Sequence, residues 1–98
     1  MKKLTDLEIE KKLLSLQEWE YYDNALHAAF EFDNFKDCMS AIHRINFEFE
    51  ALNHHPLWLN VYNATDITLD IALTTHAIDA VTELDFNLAK AIKNKIRS

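Results

Sequence analysis

Residues 19–32, WEYYDNALHAAFEF, hold two aromatic-rich runs separated by Asp23-Asn24. Asp and Asn tolerate positive φ better than other non-glycine residues, and a tight two-residue hairpin turn asks for it at both central positions. The stretch therefore predicts two paired strands, Trp19–Tyr22 and Ala25–Phe32. Upstream, Thr5-x-x-Glu8 has the form of a capping box, and Leu7, Leu13, Leu14 and Leu16 can share an apolar stripe on a short helix ending near Gln17. Downstream, Asn34 can cap a second helix in which Phe35, Cys38, Ile42, Ile45, Phe49 and Leu52 recur at helical spacing, so one face must be buried.

The region from Asn60 to Thr75 is rich in β-branched and aromatic residues. Within it Ile67, Leu69, Ile71 and Leu73 alternate with Thr68, Asp70, Ala72 and Thr74, the pattern of a strand with one wet face. This region has room for two strands. Thr82-x-x-Asp85 opens a third helix, with Leu84, Leu88, Ala91, Ile92 and Lys95 tracing one face and basic residues at its C-terminal end. Hairpins beside helices in this order give an α+β layer, an antiparallel sheet with helices on one face. The other sheet face then needs cover, and burial against a second copy of the chain is the expectation.

With 98 residues and 49% apolar content, the chain fits a single domain, residues 1–98. Ten Lys and Arg stand against sixteen Asp and Glu, a balance that gives no support to direct nucleic-acid binding. The single cysteine, Cys38, falls in an apolar periodic stretch and reads as a small buried hydrophobe. Acidic residues interrupt the amino-terminal segment where a signal peptide needs an apolar run, and no window approaches a membrane span, so a soluble, cytoplasmic protein is expected. The chain has no glycine, which excludes glycine-loop phosphate sites and leaves Asp23-Asn24, Asp33-Asn34, Asn53 and Asp79 as candidates for left-handed backbone.

The chemistry concentrates in His54-His55-Pro56-Leu57-Trp58, followed by Val61-Tyr62-Asn63 and then Thr75-His76. Imidazole titrates near neutral pH, so His54, His55 and His76 are the candidate acid–base groups. Pro56 pushes His55 towards an extended backbone, and Trp58 and Tyr62 offer flat faces to a planar heterocycle. A transition-metal site from the same histidines is the weaker alternative, because adjacent ligands on one short segment are awkward to aim at one ion. His27 and His43 lack the signature and read as structural or surface residues.

The order Glu50-x-x-x-His54-His55-Pro56-x-Trp58-x-x-Val61-Tyr62-Asn63, then Thr75-His76 and Thr82-Glu83-x-Asp85-x-x-Leu88-Ala89, resembles the pterin-4a-carbinolamine dehydratases. The likeness extends upstream to Trp19 and to Phe30-Glu31-Phe32-x-x-Phe35. It implies an antiparallel four-stranded sheet with three helices packed on one face, in a homodimer or homotetramer. It also implies dehydration of 4a-hydroxytetrahydropterin to quinonoid dihydropterin, the recycling step after aromatic amino-acid hydroxylation, and so a functional link to a hydroxylase. His54, His55 and His76 correspond by motif to the catalytic histidines, with no metal and no organic cofactor required. Glu50, Trp58, Thr75 and Trp19 are the candidate pterin-binding residues, and Asp85 reads as an acidic residue of the helix N-terminus.

The chain departs from the family pattern in three places. His76-Ala77-Ile78-Asp79-Ala80-Val81 has no glycine after the Thr-His pair, where the family commonly has glycine or another small residue, and Ala51 stands where a lysine is common. The interval from Tyr62 to His76 is longer than usual, which predicts an extended hairpin or a bulge. Two other functions compete with catalysis: a pterin-binding or regulatory protein without turnover, and a module that stabilises a protein dimer, as some relatives stabilise a transcription factor.

Overall fold

The computed structural model describes residues 2–97. In chain order the elements are α1 (Asp6–Leu13), β1 (Trp19–Tyr22), β2 (Ala25–Phe32), α2 (Phe35–Ala51), β3 (Trp58–Asn63), β4 (Ile67–Leu73), a single 3-10 turn (His76–Ile78) and α3 (Glu83–Lys95). The four strands form one antiparallel sheet in the order β1-β2-β4-β3. The architecture is α+β, as the sequence predicts.

Local chemistry explains where the elements start and turn. Thr5 and Thr82 each close a capping box, with Glu8 and Asp85, and the Asn34 side chain accepts from the Asp37 amide. The hydrogen bonds that Glu8 takes from Thr5, backbone first and hydroxyl second, hold its carboxyl below the usual carboxylate range. Left-handed backbone occurs at Asp23, Asn24, Asn53 and Asp79, so short polar side chains take over the role of glycine. Asp33-Asn34 does not join them, because Asn34 is extended at φ −151° as the cap of α2.

Leu26, Ala28, Phe30 and Phe32 of β2 and Leu69, Ile71 and Leu73 of β4 meet Cys38, Ala41, Ile45 and Phe49 of α2 and Phe86, Leu88, Ala89 and Ile92 of α3 in one core. Burial pushes the Cys38 thiol up from its ordinary pKa. Three details of the predicted faces need correction. On the first helix only Ile9 is buried and Leu13 is partly so, while Leu7 and Leu14 lie exposed; the helix ends at Leu13, and Leu4 before it and Leu16 after it reach the core from outside the helix. At the two ends of α2, Phe35 and Leu52 are exposed, since the core reaches only the middle turns. On α3 the buried face centres on Phe86, Ala89 and Ile92, with Lys95 outside it.

The expected wet face of β4 is only partly wet. Thr68 and Ala72 are buried because β4 is an inner strand flanked by β2 and β3, whose larger side chains overhang it. Pairing of β3 with β4 runs without a break from Trp58↔Ala72 to Asn63↔Ile67, so the longer interval is an extended regular hairpin and not a bulge. Among the described residues no helix is long and apolar enough to cross a membrane.

Candidate active site

The first histidine is placed by the way α2 ends. Asn53 adopts φ +49°, the Asn53 amide donates to the Glu50 carbonyl at 3.1 Å, and the His54 amide donates to the Phe49 carbonyl at 3.0 Å. This is the paired hydrogen bonding of a Schellman stop, with asparagine in the position usually given to glycine. It turns the chain so that His54 leaves the helix towards the start of α3. Asn53→Gly is expected to keep or raise stability in urea unfolding, whereas Asn53→Ala should cost roughly 1–2 kcal/mol because a β-carbon disfavours left-handed backbone.

Asp85, fully buried in the first turn of α3, is the centre of the site. Its Oδ1 lies 2.6 Å from His54 Nε2, and the His54 side chain is only 10% exposed. Its Oδ2 accepts from the Thr82 amide at 2.9 Å and from the Thr75 hydroxyl at 2.8 Å. Thr75 and Thr82 hydroxyls are in turn 2.8 Å apart. One carboxylate thus caps the helix, ties the end of β4 to it, and holds the imidazole. An ionised carboxylate only accepts, so Nε2 carries a hydrogen, and in the neutral ring the lone pair is on Nδ1.

Thr75 also anchors the third histidine. Thr75 and Ala80 exchange backbone hydrogen bonds of 3.0 and 3.4 Å, which close the loop holding His76–Ile78, and Asp79 turns it at φ +50°. The Asn24 side-chain amide donates to the Asp79 carbonyl, and Thr74 Oγ1 donates to the Asn24 carbonyl at 2.9 Å, tying this loop to the β1–β2 turn. The loop closes without a glycine, Asp79 taking the left-handed position.

The sequence-predicted residues are distributed as follows. His54 and Thr75 converge on Asp85; His55 and His76 are exposed, each next in sequence to one of that pair. Among the described residues, no three His, Cys, Asp or Glu side chains gather as a metal-binding group. Glu50 is exposed on the last turn of α2. Trp19 is 3% exposed in the core, its ring edge-on to Phe30 with centroids 6.2 Å apart. Trp58 lies on the sheet face opposite the core, its Nε1 donating to Asp70 at 3.2 Å and its ring 5.5 Å from that of His27. The Thr75 hydroxyl is turned inward to Asp85.

Sequence reasoning places Asp85 at a helix N-terminus and stops there. The capping box accounts for one carboxylate oxygen only, and the other belongs to His54, thirty-one residues away. That unclaimed oxygen was the available signal.

Comparison with known proteins gives the chain a family. A family model described as "Pterin 4 alpha carbinolamine dehydratase" matches residues 2–95. Two curated relatives, both named "Putative pterin-4-alpha-carbinolamine dehydratase", come from Christiangramia forsetii and a Chelativorans species. The first is 45% identical over 100% of this chain and 97% of the relative. The second is 47% identical over 90% of this chain and 88% of the relative. A crystal structure of a transcriptional coactivator/pterin dehydratase from Brucella melitensis superposes with a TM-score of 0.84 at 29% identity, over 97% of this chain and 99% of that one. A pterin dehydratase-like RuBisCO assembly factor of the alpha-carboxysome shares the fold at a TM-score of 0.59 and 16% identity, over 82% of this chain and 89% of that one. Matches in sequence and structure that span nearly the whole chain place it in the pterin 4 alpha carbinolamine dehydratase family.

Proposed function

We propose that this chain dehydrates 4a-hydroxytetrahydropterin to quinonoid dihydropterin by histidine acid–base catalysis, as a step in recycling a reduced pterin after aromatic hydroxylation. The observation that carries the reading is the 2.6 Å contact between His54 Nε2 and buried Asp85. Loss of the 4a-hydroxyl as water requires a proton on the leaving oxygen and removal of the proton from N5. Neutral His54 has its lone pair on Nδ1, and Asp85 stabilises the imidazolium that forms when Nδ1 takes a proton. His54 is therefore assigned to N5. His55 and His76, both exposed, exchange protons with the leaving hydroxyl and with water. Glu50 and Trp58, at the two ends of the His54-His55-Pro56 segment, are assigned to the pterin edge and face. Trp19 contributes through the core, where it packs against Phe30.

The test generates the 4a-hydroxypterin in situ and follows quinonoid product. The expected result is a first-order loss faster than the spontaneous reaction and proportional to protein concentration; a rate equal to the spontaneous one refutes the assignment. We further propose that the chain works as a homo-oligomer in the cytoplasm. Phe35, Met39 and Phe47 stand exposed along α2, an apolar set that a second copy would remove from water.

A further inference from the structure

The sequence divides its charge by layer. No Lys or Arg occurs between Lys12 and Lys36 or between Arg44 and Lys90, so none of the strand residues is cationic. All the positive charge belongs to the helices, their flanks and the termini. The sheet face away from the core carries Glu20, Glu31 and Asp70 beside Tyr22, Trp58 and Tyr62.

The register shows how these residues are arranged. Glu20, His27, Ala72 and Trp58 are cross-strand neighbours in one row; Ala29, Asp70 and Asn60 form the next; Glu31, Thr68 and Tyr62 form the third. The middle row holds an alanine, a carboxylate and an asparagine, and Trp58 and Tyr62 stand on either side of Asn60 along β3. On one side, Tyr22 stacks on His27 with centroids 3.7 Å apart, His27 Nε2 donates to the Tyr22 carbonyl at 2.9 Å, and Trp58 leans on His27. On the other side stands Tyr62, half exposed. Asp70 Oδ2 accepts from Trp58 Nε1 at 3.2 Å, and among the described residues Oδ1 has no hydrogen-bond donor.

We propose that this face docks an arginine-bearing segment of another protein, with one guanidinium on Asp70 between Trp58 and Tyr62. Guanidinium pairs with carboxylate through two donors and stacks on aromatic rings, and both partners are present on this face. Lysine satisfies only the charge. The same acidic face repels phosphate backbones and anionic lipid, and two copies laid face to face would oppose their carboxylates. The proposed face shares Trp58 with the pterin reading, whereas Asp70 and Tyr62 have no part in that reading.

Trp19 is buried and Trp58 is 39% exposed, so a ligand on the sheet face is read from Trp58 fluorescence. The probe is a short acetylated peptide of alternating glycine and arginine, compared with its lysine, citrulline and glutamate counterparts, and with duplex DNA. The expected result is saturable quenching by the arginine peptide, weaker binding of the lysine peptide, none of the others, and backbone amide shifts confined to β2, β3 and β4. Asp70→Asn, which retains an acceptor for Trp58 Nε1, should weaken binding about tenfold or more, and Glu20→Gln less. Equal binding by wild type and Asp70→Asn, amide shifts on the helices, or binding of the DNA or glutamate peptide would overturn the proposal. Concentration-dependent self-association abolished by Asp70→Asn would also overturn it, by giving the face to a second copy.

Discussion

His54→Ala is expected to lower the rate of 4a-hydroxypterin dehydration by about 10²–10⁴-fold, the usual contribution of a positioned general acid or base. His54 is the only one of the three signature histidines whose ring is held by a buried carboxylate. Losing it removes both the proton acceptor and the anion–imidazolium pair formed during the reaction. His55→Ala and His76→Ala should cost less, because each removes an exposed ring whose proton exchange water can partly replace. Single-turnover measurement at saturating substrate separates this chemical effect from weaker binding. If His54→Ala retained wild-type turnover while His76→Ala lost it, the assignment of N5 to His54 would be wrong.

Asp85→Ala is the substitution expected to do most harm to the fold. It removes the hydrogen bonds to His54, to the Thr75 hydroxyl and to the Thr82 amide, leaving His54 Nε2 and the Thr82 amide unpaired beside a buried void and the Thr75 hydroxyl with Thr82 alone. Breaking a buried, hydrogen-bonded charge in this way costs about 3–5 kcal/mol, a large part of the stability of a small domain. Urea unfolding should show the midpoint fall sharply. Asp85→Asn keeps the shape and separates the two roles of the residue. Its amide nitrogen can donate to His54 Nε2, which moves the imidazole hydrogen to Nδ1 and removes the lone pair that accepts the proton. The expected result is a modest loss of stability with kcat reduced about 10²-fold or more and KM little changed. Equal losses in stability and turnover for Asp85→Asn and Asp85→Ala would leave Asp85 with a structural role alone.

Features set by short-range chemistry are legible in the sequence. Asp23 and Asn24 announce the hairpin turn, Thr5 with Glu8 and Thr82 with Asp85 announce two helix starts, and Asn53 and Asp79 stand among the candidates for left-handed turns. Those features depend on residues within about one turn of each other. The buried faces are less legible because periodicity says that a face exists but not which neighbour covers it. Leu7 and Ile9 are both apolar residues of α1, yet only Ile9 meets the core. Thr68 and Ala72 are buried by the position of β4 inside the sheet, which no pattern within β4 reports. The candidate acid–base histidines stand out as a motif, whereas the partner that orients His54 lies at a distance the chain must fold to close. Trp58 shows the converse: its motif is visible, and the face it occupies follows from a register with Ala72 that the motif does not encode.

Because the carboxylate that orients His54 belongs to α3, the site is complete only while that helix is docked. A chain with its strands paired and α2 packed still lacks the oriented ring until α3 docks. In that interval the histidine is present but has no anion behind it. Fraying of α3 from the finished protein returns the site to the same condition, so the oriented imidazole cannot outlive the docking of the C-terminal helix.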